Sequence, residues 1–517
     1  MLLGLPQTSR RRMRSVIVIL VSASAIGCNL KGPEYVRPDT PQKETWQGAS
    51  SQPVSARATI EPDWWRKFGN SDLDRFVSSA ASDNVDLRVM AARIDVARAG
   101  IDRASAAGKP TILAGAGVDV TTFTQPGLTT TTQQYSAAAT LDWELDIWGK
   151  FAAGVEAQEA EVAATQADWR AGYLTLVSDV ARAFFGIQRL DEQLAQQRQA
   201  IGQNEAILRI YESRYEEGLV PRTALLQQRS EVNRLTQKAL ELKRLREITV
   251  NSLATLIGVP AGNLRVPEGQ LRRSVKLVEV PAGLPSELLN RRPDIVAAEY
   301  RALRSLKLVG QARLAQLPSI GLTARGGTAS AALNTLLKAW TFGLSPSISL
   351  PMFDPNVKAR IKVSEAEVKL AEEQYRAVVM KAFEEVENAL ITLHSRKQQR
   401  GELLERLVSL RDVAKQNRAQ LEAGVISQLE LFESERSVLA AEQEVLANYY
   451  QILVDTVQLY KALGGGWSGQ TIMGRAEPPR TMESRLAPDR SLTPTLSQQA
   501  RERLCCAKSI VRVAASA

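Results

Sequence analysis

The chain has one histidine, His394, and three cysteines, Cys28, Cys505 and Cys506, among 517 residues. That scarcity excludes most enzyme chemistry. Zinc sites draw several ligands from His and Cys, and an activated nucleophile usually needs a neighbouring His base. His394 lies in the helical run ITLHSRKQQ, where a solvated position is its simplest reading. Asp and Glu are plentiful, but they sit at helical spacing among Lys and Arg, as on solvated or helix-pairing faces. No catalytic residue, metal ligand or cofactor is assigned. A basic body is missing too. The net charge is +9, but four arginines within residues 1–27 and eight bases against four acids in residues 475–517 leave only about +1 elsewhere. Nothing there points to nucleic acid.

The amino terminus has no apolar run long enough to cross a bilayer as a helix. VIVILVSASAIG is about a dozen residues, against the twenty or so that a span needs. Arg10, Arg11, Arg12 and Arg14 precede it and Cys28 follows. A basic, then apolar, then small-residue order marks residues 1–27 as a secretory signal. Met13 would start a complete, shorter one. Ala25-Ile26-Gly27-Cys28 resembles a bacterial lipobox, with Ala25 in place of the usual leucine. Cleavage would leave Cys28 as the acylated first residue; a plain signal with an incidental cysteine is the alternative. Asn29, where aspartate would resemble an inner-membrane retention signal, favours the outer membrane. Residues 28–62, opening on KGPEYVRPDTPQ, read as an extended tether holding the body away from the bilayer.

The body is written twice. Asp86 to Ile112 aligns with Asp294 to Ile320 at an offset of 208, with Arg93 matching Arg301 and Asp146 matching Asp354. GLVPRTALLQQRSEV from Gly218 aligns with GVISQLELFESERSV from Gly424 at 206. Each copy runs from a helical segment through a proline to two alternating segments, then to very long helical ones. Strands are expected at about 111–123 and 135–146, and at about 319–327 and 341–351. Tyr135, Ala137, Ala139, Leu141, Trp143 and Leu145 alternate with polar or small residues, as do Phe342, Leu344, Ile348 and Leu350. Period two at about ten residues suits tilted membrane strands. Four strands cannot close, and a bare edge in lipid costs several kcal/mol per unpaired group. Three copies would supply twelve strands and a closed barrel. An ordinary soluble two-sheet domain is the alternative.

Ile147 to Glu217 contains no proline, and Asn356 to Ala423 is nearly as long. At ~1.5 Å per residue each would extend on the order of 100 Å. Their alanine-rich pattern suits lateral coiled-coil packing. Gly218 and Gly424 end them as left-handed caps, so return helices form a hairpin tip in each copy. The fold expected is an all-α body joined to transmembrane β-strands.

Several motifs occur in order: the lipobox, GPEYVRP, DWWRKF, NVDLRVMAARIDVARA, LDWELDIWGK, RRPDI, RYEEGLVPR and LYKALGGGW. From about Cys28 to Gln470 the chain resembles the TolC family, specifically NodT-type outer-membrane efflux lipoproteins of tripartite RND-type pumps. The resemblance implies a homotrimer with a twelve-stranded β-barrel in the outer membrane. The barrel would be continuous with a twelve-helix periplasmic α-barrel, each chain being an internal duplication over 63–265 and 266–470. It implies that GGGW closes the last long helix at the equator. It implies a passive exit duct for drugs or other small toxic compounds. A periplasmic adaptor and an inner-membrane pump would engage the tips at Gly218, Leu219, Thr223, Gly424 and Val425. The implied gate is Leu429 with Glu430 and Glu433; Leu429 and Glu433, four apart, share a helix face. Three copies of Glu433 at an axis would attract cations. Glu435 and Arg436 read as solvated helix residues. Residues 471–517 have no family counterpart and read as a disordered tail. A type I protein secretion duct and a poreless coiled-coil scaffold remain as alternatives.

Overall fold

A computed structural model describes residues 35–41, 43, 45–47, 60–280 and 285–465. Cys28, Gly466, Trp467 and the tail lie outside the described residues. The helices are α1 (Ser71–Asp83), α2 (Val85–Ala106), α3 (Lys150–Glu216) and α4 (Arg222–Leu256). Then come two short ones, α5 (Leu271–Ser274) and α6 (Pro285–Arg291), followed by α7 (Pro293–Leu314), α8 (Pro355–Glu422) and α9 (Gln428–Ala462). The strands are β1 (Thr111–Gln125), β2 (Leu128–Leu145), β3 (Ser319–Ser330) and β4 (Thr341–Ser349). Element lengths recur: α2 and α7 have 22 residues each, α3 and α8 have 67 and 68, and α4 and α9 have 35 each.

One antiparallel sheet holds the strands in the order β1-β2-β3-β4. Its registers align one apolar face over the part of the sheet nearest the helices, while the outer rungs of that face are threonine and glutamine. Ile112 faces Leu141, Leu141 faces Ala324, and Ala324 faces Leu344. Tyr135, Trp143, Leu322, Phe342 and Ile348 share that face. Asp119, Thr140, Asp142, Thr323 and Ser345 lie on the other, where Thr323 Oγ1 donates to Asp142 Oδ1 at 2.8 Å. A slip of one residue at any rung would interleave the two sets. The apolar face is uncovered, with Ile348 72% and Phe342 80% exposed. β2 starts seven residues before the alternation marks it. The polar run LTTTTQQ continues the ladder, because β-branched threonines suit a pleated surface without apolar patterning.

The long helices pack by two devices. Near the sheet, Gly154, Ala157, Ala160, Ala164 and Ala167 of α3 are buried in a small-residue seam. Lys307 of α7 bonds Glu156 at 2.6 Å across the α3–α7 contact, and Arg304 bonds Glu161 at 3.3 Å. Further along, a large apolar core gathers Trp64, Phe68, Phe184, Phe185, Tyr375, Val457 and Tyr460. Trp64 of the DWWRKF stretch stacks on Tyr460 of α9 with ring centroids 4.7 Å apart. Fully burying such aromatic side chains is worth about 1.5–3 kcal/mol each.

The tether expectation needs correction. Residues 35–47 lie against the body where they are described. Arg37 and Tyr35 both donate to the buried Glu299 of α7, at 2.8 and 3.1 Å. Lys43 pairs with Glu387 of α8 at 3.0 Å, and Trp46 is buried against Phe383. A carboxylate that is only 2% exposed needs a charged partner, and the amino-terminal segment supplies it.

RRPDI and LYKALGGGW meet. Arg292 is buried; it bonds Asp294 and Glu385 and donates to the Ala462 carbonyl at the end of α9. Gly464 follows in the left-handed region at φ +87°, and its amide donates to the Lys461 carbonyl. A Cβ there would stand 2.9 Å from the Arg291 carbonyl oxygen. Gly464→Ala therefore combines backbone strain with a steric clash. We expect it to destabilise the fold by on the order of 1–3 kcal/mol, read as a lower urea midpoint of the purified protein. Gly262→Ala, at φ +89° with nothing within 4 Å, gives the strain alone and should cost less.

Candidate functional site

Both hairpin tips are built alike. Gly218 at φ +74° and Gly424 at φ +72° follow the last turns of α3 and α8. Leu219 N donates to the Arg214 carbonyl and Val425 N to the Gln420 carbonyl. Gly218 and Gly424 donate to Tyr215 and Leu421. These paired bonds form the Schellman ending, which satisfies helix-terminal carbonyls while the chain reverses. The residue after each glycine is thereby thrust outward. Leu219 is 67% and Val425 72% exposed. Thr223 lies exposed in the first turn of α4. Gly218, Leu219 and Thr223 thus cluster on one tip, and Gly424 and Val425 on the other.

The expected gate residues open α9. Ser427 caps it, and its hydroxyl donates to Glu430 Oε1 at 3.2 Å. Leu429 stands exposed, while Leu431 two residues on is buried. Glu433 is exposed, but Arg436 pairs with it at 3.0 Å. Arg436 is exposed, as expected, but it and the partly buried Glu435 are also ion-paired. Glu435 pairs with Arg418 of α8 across the second hairpin. Arg436 reaches the first hairpin and bonds Glu231 of α4 at 2.7 Å. Arg234 bonds the same carboxylate at 2.6 Å. Two guanidiniums on one buried carboxylate hold Glu231 down at about 2, with hydrogen bonding to Arg234 as the largest cause. No sequence pattern foretold this contact, because Arg436 and Glu231 lie 205 residues apart.

A polar cleft of about 340 Å³ separates the hairpins there, lined in part by Gln196, Asn204, Lys415 and Arg418. Both hairpin seams combine buried side-chain amides with apolar clusters, Leu190, Leu194 and Leu242 forming one in the first hairpin. Between α3 and α4, the buried Gln197 donates to the Leu235 carbonyl at 2.9 Å, and the buried Gln228 to the Asn204 carbonyl at 2.7 Å. Between α8 and α9 an apolar cluster of Leu403, Leu407, Leu410, Val438, Ala441 and Val445 is joined by the buried Asn448, which donates to the Arg396 carbonyl at 3.2 Å. His394 is exposed on α8, away from these contacts. Among the described residues no group of three or more His, Cys, Asp or Glu could hold a metal ion.

A family model described as outer membrane efflux protein matches residues 76–259 and 284–465. The chain belongs to that family. Its two matched segments each span the helix, strand pair and hairpin of one half. The outer membrane lipoprotein SilC of Salmonella typhimurium, described as probable, is 28% identical over 466 residues, covering 88% of this chain and 99% of its own. The toluene efflux pump outer membrane protein TtgC of Pseudomonas putida is 31% identical, covering 91% and 99%. The solved outer-membrane channel OprN superposes with a TM-score of 0.75 at 26% identity, covering 85% and 99%. The protein is thus an outer-membrane channel component of an efflux system.

The Glu231 contact makes the tip region acid-sensitive. Its carboxyl titrates below its ordinary value of 4.5 in the folded protein. The stability it contributes is therefore complete above about 4.5 and is lost as pH falls toward about 2. Urea midpoints measured from pH 6 down to pH 3 should fall for the wild type. Glu231→Gln should be weaker at pH 6 and should flatten that decline.

Proposed function

We propose that three copies of this chain form a passive exit duct through the outer membrane. The observation that carries the reading is the sheet: four strands with an uncovered apolar face and two unpaired edges, joined to helices of about 100 Å. Three copies close twelve strands into a barrel, and four long helices from each copy extend it as a twelve-helix periplasmic cylinder. Each chain is an internal duplication, with repeats over 63–265 and 266–470; the matching helix lengths and the two family segments support this. The signal occupies 1–27. Acylated Cys28 anchors the chain in outer-membrane lipid, as the lipoprotein name of SilC supports. Outer-membrane relatives in efflux pumps support docking of a periplasmic adaptor, coupled to an inner-membrane pump, on Gly218, Leu219, Thr223, Gly424 and Val425. Leu429, Glu430 and Glu433 form the gate. One relative carries toluene in its name, but a wide duct need not recognise what passes, and no cargo is assigned.

Single-channel conductance in a planar bilayer tests the reading. The wild type should give a small, cation-selective conductance. Leu429→Gly with Glu433→Ala should raise it by a factor of about two or more and reduce the selectivity. An unchanged conductance would move the gate elsewhere, and none from verified trimers would sink the channel. Cys28→Ala should abolish incorporation of labelled palmitate, and persistent labelling would refute the anchor.

A further inference from the structure

Arg325 is the one basic residue in the four strands, which carry three acids, Asp119, Asp142 and Glu144. We propose that Arg325 sets the charge selectivity of the barrel, its three copies forming a cationic ring in the lumen that lets anionic compounds past the acids. This rests on the trimeric duct proposed above and names a residue that determines which charge the duct passes.

The registers put Arg325 on the polar face. Its rung is Leu113, Thr140, Arg325 and Gly343. Ala324, before it, lies on the apolar face with Leu141 and Leu344. A Cβ on Gly326, after it, would stand 3.1 Å from the Phe342 ring on that same side. Alternation therefore turns Arg325 the other way. In a barrel whose apolar face meets lipid, that direction is the lumen.

Its surroundings leave the charge free. Arg325 is exposed, and among the described residues its side chain has no ion pair or hydrogen bond. Asp142 lies two residues away along the strand direction, ~7 Å at the strand rise. Its carboxylate accepts from the Thr323 hydroxyl instead, at 2.8 Å. Gly343 beside Arg325, and Gly327 and Ala138 on the next rung, are too small to cover it. A Cβ on Gly343 would meet nothing within 4 Å, so the Arg325 side chain does not lie down on that strand. Glu144 is already paired with Lys150 at 2.5 Å. Each copy thus sets one free cation against Asp119 and Asp142. Three-fold symmetry brings the three guanidiniums to one height. A charged ring in a pore favours ions of the opposite sign. Without Arg325, an anion in the barrel would meet acids alone.

The test uses purified trimers of the full chain in planar bilayers, with Leu429→Gly and Glu433→Ala so that the tip does not govern the current. Cys505→Ser and Cys506→Ser remove their thiols, and Cys28 is kept. Reversal potentials in a KCl gradient give the ratio of potassium to chloride permeability. At about 0.1 M salt, Arg325→Gln should raise that ratio about twofold or more, and Arg325→Glu further. The shift should shrink at 1 M KCl, where the screening length is about 3 Å. Arg325→Cys should behave as Arg325→Gln does. A cationic water-soluble thiol reagent should then restore the starting ratio, and an anionic one should move it toward that of Arg325→Glu. Ala324→Cys, on the apolar face, should respond to neither reagent. Conducting trimers whose ratio ignores every change at Arg325 overturn the proposal and leave the duct standing. A response from Ala324→Cys in place of Arg325→Cys reverses the faces and overturns it too. Trimers without conductance overturn the duct reading itself.

Discussion

A strand edge cannot be left bare in lipid, and most of this chain answers that constraint. Each unpaired amide or carbonyl there costs several kcal/mol, more than any single surface contact returns. Four strands are too few to close on themselves. The chain offers an apolar face with two unpaired edges, and the proposed trimer would close them by symmetry. The recurring element lengths give two strand pairs, two helices of 67 and 68 residues and two of 35. The alanine seam on α3 and the ion pairs beside it let helices lie flank to flank without a thick apolar core.

Much of the architecture was legible because its signals are periodic or stereochemical. The two-residue alternation marked the strands, and freedom from proline marked the long helices. Gly218 and Gly424 marked the tips because a left-handed cap is nearly obligatory for glycine there. What stayed hidden depends on tertiary neighbours. Pro38 and Pro41 made the amino-terminal segment look like a free tether. Only Glu299, buried on α7, shows why Arg37 holds it down. Arg436 looked solvated because its partner Glu231 is most of one repeat away. The start of β2 was missed because threonine pairs well while carrying no apolar pattern.

Both hairpins join their helices by the same two means, buried side-chain amides and apolar clusters. A side-chain amide bonded to one carbonyl fits only one alignment, whereas leucine against valine tolerates small shifts. Each hairpin therefore has at least one bond that fixes the alignment of its two helices.

The belt of DWWRKF, RRPDI and the glycine turn has a practical consequence. Gly465, the last described residue, packs on Leu174 of α3. Leu174 lies ~36 Å along that helix from its strand end and ~63 Å from its tip, at the helical rise. The turn at Gly464 and Gly465 thus ties the end of α9 to the middle of α3, so any side chain added at Gly465 would wedge the two helices apart at that height.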